Sequence, residues 1–182
     1  NGFLNATSAK VEIAGDFRNS GMLFSNGLAK FLGGRRQTIQ LLAPIIPHDG
    51  VAPTVEFAGT VSPVLNSTRS PEFADVTISN IGGVTTSVGW GVAGKFVVTP
   101  GATFNGGSYT HRLFSAVINY GKITSSGLVD FSTPYPFAPA PEAHPFVFGQ
   151  FESTGTLKFG GTGQVLLAGG VAPTLNNLII SN

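Results

Sequence analysis

Cysteine is absent from this chain, and charge is scarce: Asp, Glu, Lys and Arg together make up 10% of its 182 residues. Without cysteine there are no disulfides, thiolate metal sites or cysteine nucleophiles. An average domain carries about 25% charged residues, so this surface is unusually neutral. The net charge is +1 and the ten basic residues are scattered. That removes the basic stripe that nucleic acid or anionic lipid would need. No run reaches the ~18 apolar residues of a membrane-spanning helix. No stretch of useful length carries the 3.6-residue helical period. There is neither a starting Met nor a signal peptide, so the expectation is a mature product or a segment of a longer chain. A cysteine-free, weakly charged chain is compatible with export from a bacterium.

What is abundant is glycine (25) and proline (12), set among Val, Ile, Leu and Phe that make the chain 42% hydrophobic. Apolar residues this evenly spread argue against disorder. The composition points to many turns between short strands. Alternation supports it: Val55 and Phe57 flank Glu56, and Leu157 and Phe159 flank Lys158. Each pattern puts apolar side chains on one face and charge on the other. Strand-sized pieces recur every 8–12 residues, as in "LAKFLGG" (28–34), "TVEFAGT" (54–60) and "TLKFGGT" (156–162).

The chain also repeats itself. Residues 57–80 match residues 159–182 at eight of 24 positions, from Phe57 on Phe159 and Gly59 on Gly161 to Asn80 on Asn182. Chance would give roughly two. At an offset of 100, Asn19 meets Asn119, Gly21 meets Gly121, and Phe31 meets Phe131. Residues 1–80 therefore read as a partial first copy and 81–182 as a complete second copy of a unit of about 102 residues. A shorter echo relates "VEIAGDF" (11–17) to "GVAGKF" (91–96). A chain of short strands with a long period predicts an all-β fold, a parallel β-solenoid with roughly 20–25 residues per coil. Both copies form one continuous solenoid in this reading, with Phe57, Gly59, Asn80, Phe159, Gly161 and Asn182 as structural repeat positions. Asn tolerates left-handed turns and bonds nearby backbone, and stacked Asn can form ladders; Asn80, Asn182, Asn19 and Asn119 are the candidates, with ordinary turn asparagines as the alternative. The competing fold is a β-sandwich or jelly roll, which does not account for the 102-residue repeat.

"FGGTGQVLLAGGVAPTLNNLIISN" (159–182) and "VEIAGDFRNSGMLFSNGLAKFLGGRRQTI" (11–39) resemble the Gly- and Asn-rich repeats of large secreted surface adhesins and filament proteins of Bacteroidota. In those repeats a strand ending in Phe-x-Gly is followed by a Gln-containing turn and then Asn-Asn-Leu-x-Ile-x-Asn. Here Gln37 and Gln164 take the turn positions and Asn176-Asn177-Leu178 keeps the phrase, while the first copy departs from it with Ala74-Asp75-Val76. The resemblance implies an extracellular or cell-surface, bacterial location and a structural or adhesive role. It carries no catalytic residues.

Catalytic chemistry is hard to place. His48, His111 and His144 lack metal-ligand spacing and read as solvated loop histidines. The nine carboxylates are spread singly, whereas a polysaccharide-cleaving β-helix needs them clustered; Asp16 and Asp130 read as outward-facing. "GGTG" (160–163) has no P-loop lysine after it, and the threonines are too irregular for an ice-binding array. "NAT" (5–7) and "NST" (66–68) fit the glycosylation sequon, which such composition produces by chance. No enzyme, cofactor or metal is expected. Two proline-rich stretches, 32–53 and 132–149, interrupt the strand rhythm and differ between the copies. Proline is excluded from central strands, so both are expected to be loops leaving the stack. Variable loops at a fixed repeat position are where solenoids carry binding surfaces. Arg35, Arg36 and His48 on the first, and Tyr135, Phe137 and His144 on the second, are the candidate binding residues. The partners expected are the chain itself, as neighbouring repeats or subunits, and cell-surface or environmental glycans. The sequence thus predicts a fibre segment, with a carbohydrate-binding module as the alternative.

Overall fold

The computed structural model describes residues 4–6, 10–19, 23–25, 27–41, 54–131, 143–160, 164–169 and 171–181. Among them there are strands and turns but no helix. All pairings are parallel, as a solenoid requires and a sandwich or jelly roll does not. Eighteen strands join one hydrogen-bonded network, while β1 (Leu4–Ala6) and β4 (Leu23–Ser25) form a separate parallel pair.

The strands, numbered in chain order, stack on three faces. The first face holds β2 (Val11–Ile13), β5 (Leu28–Gly33), β7 (Thr54–Gly59), β10 (Asp75–Ile78) and β13 (Phe96–Val98). It continues through the first part of β16 (Val117–Ser125), the first part of β18 (Ala143–Gly160), and β19 (Gln164–Gly169). The second face holds β3 (Phe17–Asn19), β6 (Thr38–Leu41), β8 (Val64–Asn66), β11 (Val84–Thr86) and β14 (Thr103–Asn105). It continues through later parts of β16 and β18 to the start of β20 (Thr174–Ser181). The third face holds β9 (Glu72–Phe73), β12 (Gly91–Val92), β15 (His111–Leu113) and β17 (Leu128–Phe131), then the ends of β18 and β20.

Register sets the coil length. Val55 pairs with Val76, 21 residues on, and Phe96 with Val117, also 21 on. Two coils are wider: Ala29 pairs with Val55, 26 on, and Val117 with Phe146, 29 on. The excess coincides with the proline-rich stretches, but less of each leaves the stack than the prolines predict. Gly33 still belongs to β5, and Thr38–Leu41 forms β6. Likewise residues 143–149 lie in β18. Pro145 is tolerated there because it pairs with Leu166 on one side, while pairing with β16 begins only at Phe146. The intervening residues 42–53 and 132–142 lie outside the described residues.

The alternation fills the core as expected. Val55, Phe57, Leu157 and Phe159 are buried, and Glu56 and Lys158 look outward. Ring on ring, the coils stack: Phe17 meets Phe31 edge-on at 5.5 Å, and Phe31 lies flat on Phe57 at 5.4 Å. Phe57 lies flat on Trp90 at 5.4 Å, and Phe131 on Phe159 at 4.9 Å. Such pairs add about 0.5–1.5 kcal/mol each beyond their burial. The sequence repeat has a spatial reading here. Phe31, Phe57 and Ile78 form a ladder on the first face, and Phe131, Phe159 and Ile180 form the same ladder on the third. The offset of about 102 residues therefore relates one face to another.

Candidate functional site

Corners decide which residues reach the surface. Asn80 is wholly buried. Its amide donates to the carbonyls of Ala58 and Val61 in the preceding coil, both at 2.9 Å. Its side-chain oxygen accepts from the Gly82 N–H at 2.8 Å. Asn119 does the same with opposite polarity along the stack: it donates to the Gln150 carbonyl of the following coil and accepts from Gly121 N–H. These asparagines bond backbone between coils and do not form an amide ladder. Asn19 lies in β3 and its side chain, like all of Asn182, lies outside the described residues. At the corner between the second and third faces, Thr86, Asn105, Ser125 and Ser153 each accept from an N–H two residues on. The sequence reading missed this role for Ser and Thr; the signal was a polar residue closing each strand.

Backbone freedom matters at one corner. Gly59 has φ +105°, and a Cβ there would lie 2.5 Å from the Gly33 nitrogen. A Cβ on Gly33 would in turn meet the Asn80 amide at 2.7 Å and the Val61 carbonyl at 2.6 Å. Gly33, Gly59 and Asn80 thus form one close-packed corner across three coils.

His111 is not a solvated loop histidine. It is buried, with Nδ1 accepting from the Trp90 N–H at 3.2 Å and Nε2 facing the Gly106 carbonyl at 2.8 Å. This places the proton on Nε2 and leaves the ring neutral. Burial pushes its pKa below the usual 6.5, against the Gly106 carbonyl, which favours the charged form.

The outer surface is held by charge pairs between coils. Lys30 reaches Glu56 at 2.9 Å, and the Ser79 hydroxyl donates to the same carboxylate at 2.6 Å. Burial pushes the Glu56 carboxyl up, but Ser79 and Lys30 together hold it below the usual range. Lys122 pairs with Glu152 at 2.9 Å. Asp130 is buried and lies 3.9 Å from Lys158, so it is less open than expected. Asp16 accepts from the Thr38 N–H as a corner bond. Among the described residues no group of three or more His, Asp or Glu could hold a metal, and no helix is long and apolar enough to cross a membrane.

Of the candidate binding residues, Arg35 and Arg36 are exposed beside the β5–β6 corner. His144 lies in β18 opposite Val165. His48, Tyr135 and Phe137 lie outside the described residues, as does the repeat position Gly161.

The surface that stands out is β20. Leu178 lies over Leu157 and Ile180 over Phe159, continuing inward-facing core positions. Yet they are 51% and 69% exposed, while their repeat counterparts Val76 and Ile78 are 0% exposed. The difference is a covering strand: β10 is flanked by β7 and β13, and β20 only by β18 among the described residues. Ile179, on the outer side, is also exposed. The fold defines the chain as an all-β protein with a β-solenoid-like stack of parallel strands. Comparison with protein-family models, curated proteins and solved structures finds no match.

Proposed function

We propose that this chain is an extracellular structural or adhesive repeat protein, a segment of a bacterial surface fibre or filament that acts by stacking and not by catalysis. The observation that carries this reading is the stack itself: ladders such as Phe31, Phe57 and Ile78 bury their apolar side chains between neighbouring coils, so each further coil lengthens the same body. The weakly charged surface adds little repulsion between copies. The resemblance to Bacteroidota surface repeats points the same way, and the 102-residue unit is the sequence period of the fibre in this reading. Negative-stain electron microscopy of the native material tests it. Long, thin, uniform fibres are expected; isolated compact particles that stay monomeric at high concentration would overturn it.

A second reading has one observation in its favour. The two widened coils coincide with the stretches that differ between the copies, which suits displayed binding loops on a constant stack. In that reading the chain binds glycans through Tyr135 and Phe137. Binding on a glycan array should fall when both become Ala, and indifference to those changes would rule it out.

A further inference from the structure

We infer that the outer side of the second face, over the first three coils, binds an acidic polysaccharide. Arg18, Arg35, Arg36 and Arg69 hold its carboxylates, with the Gln40 and Asn66 amides between them. The inference rests on the adhesive side of the reading above and names its ligand class.

The chain uses its two kinds of cation differently. Of the five lysines, four pair with carboxylates: Lys10 with Glu12, Lys30 with Glu56, Lys122 with Glu152 and Lys158 with Asp130. None of the five arginines has an ion pair among the described residues. The acids are committed as well. Asp16 and Asp75 accept from the Thr38 and Lys95 N–H groups, which leaves only Glu72 among the described carboxylates. Arginine is the cation whose planar fork matches a carboxylate bidentately, so the free guanidiniums are the ones suited to an outside partner.

Separated along the sequence from 18 to 69, four of the five arginines are gathered by the stack. Arg18 is exposed on β3, in register with Gln40 on β6 and, through it, with Asn66 on β8. Ile39, Leu41 and Leu65 beside them are buried, so this row faces outward. Arg35 and Arg36 stand exposed at the corner leading into the face, and Arg69 at the corner leaving it. Arg35 reaches over the preceding coil: a Cβ on Gly15 would lie 3.4 Å from its Nη2. Ser67 fixes the Arg69 backbone, accepting from its N–H at 3.3 Å and donating to its carbonyl at 2.6 Å. Asp16 is the one described carboxylate on this side of these coils; Glu12 and Glu56 lie on the first face and Glu72 on the third.

Strands in the stack repeat about every 4.8 Å, so guanidinium and amide groups recur over about 10 Å. That suits a linear chain with well-separated carboxylates, whose hydroxyls the two amides can bond. Duplex nucleic acid carries a charge every ~1.7 Å, far denser than four cations on a chain of net charge +1 can match.

Binding is measured on the whole chain with polygalacturonate as probe, dextran as uncharged control and duplex DNA as rival polyanion. Polygalacturonate should bind, dextran should not, and the affinity should fall as salt rises. Arg18→Gln, Arg35→Gln and Arg36→Gln together should weaken it at least about tenfold. Arg112→Gln, on the third face, should change nothing. The same three arginines replaced by Lys keep the charge but lose the fork, so only part of the affinity should return. All of these side chains are exposed, so circular dichroism and Trp90 fluorescence should match the parent. Indifference to the triple Gln change, an equal loss with Arg112→Gln, or full recovery with Lys overturns the arginine site. Equal binding of dextran, binding of DNA as tight or tighter, or no binding by the parent overturns the ligand class. Electron microscopy of the parent separates the two readings. Fibres without polygalacturonate binding sink this inference and leave the fibre standing; neither fibres nor binding sinks both.

Discussion

Replacing Asn80 by Ala tests the claim that corner side chains hold the coils together. Three hydrogen bonds, at 2.9, 2.9 and 2.8 Å, are lost from a residue with no solvent exposure. Each is worth about 1 kcal/mol net, and a buried group left unpaired costs about 1–3 kcal/mol. The Ala58 carbonyl is stranded in a buried site and the Val61 carbonyl in a half-buried one, so the expected loss is about 3 kcal/mol. The comparison is Asn105→Ala. Asn105 makes the same kind of turn bond, to Gly107 N–H at 3.0 Å, but in an exposed corner, and about 0.5–1 kcal/mol should be lost. A third variant, Asn80→Asp, keeps the acceptor for Gly82 but aims oxygen at two carbonyl oxygens. It should be at least as damaging as Ala at pH 7 and should recover as the carboxyl protonates in acid. Urea unfolding followed by fluorescence gives all three values. Trp90 is the single tryptophan, is buried, and stacks on Phe57 one residue from Ala58. Equal losses for Asn80→Ala and Asn105→Ala, or a fully stable Asn80→Asp at pH 7, would refute the reasoning.

Three further outcomes follow from the same geometry. Gly33→Ala should destabilise by about 2–4 kcal/mol, because its Cβ meets backbone and the Asn80 amide and neither can retreat; circular dichroism melts would show it, and an unchanged melting temperature would count against the packed corner. His111 has a folded pKa below its unfolded 6.5, so below about pH 6.5 the unfolded chain binds the extra proton first. Its contribution is complete above that pH and drains away as pH falls toward the folded value; His111→Asn should flatten this limb of a stability-against-pH curve. Lys30→Ala should cost about 0.5–1 kcal/mol and raise the Glu56 carboxyl, whose depressed pKa contributes stability above about pH 4.5 that is lost as pH falls; a double-mutant cycle with Glu56→Gln reads the pair directly.

The strand alternation was legible because it is local. Val55, Glu56 and Phe57 announce a two-residue period, and β7 buries and exposes them in that order. Glycine at the strand end was legible for the same reason, and Gly59 does sit at a left-handed corner. What escaped was set by neighbours one coil away. Nothing beside His111 in the sequence says that its ring nitrogens face Gly106 and, 21 residues back, Trp90. β6 was hidden inside a proline-rich stretch, where four residues of strand are easily outvoted by Pro44 and Pro47. The exposed apolar face of β20 was hidden by its likeness in sequence to β10. Its quantity needed the comparison of Ile180 with Ile78, which share a sequence phrase but not an environment.

One feature has a mechanical side. β18 runs unbroken for 18 residues through positions where earlier coils turn corners, bonded to β16 and β17 on one side and to β19 and β20 on the other. A pull along such a strand loads its bonds to four neighbours in shear, all together, so none can be peeled off one at a time. Force entering near residue 160 would be passed sideways into the adjoining coils before any strand slips. In a fibre, whose axis runs across the strands, β18 would act as a hoop that resists sideways load on its coil.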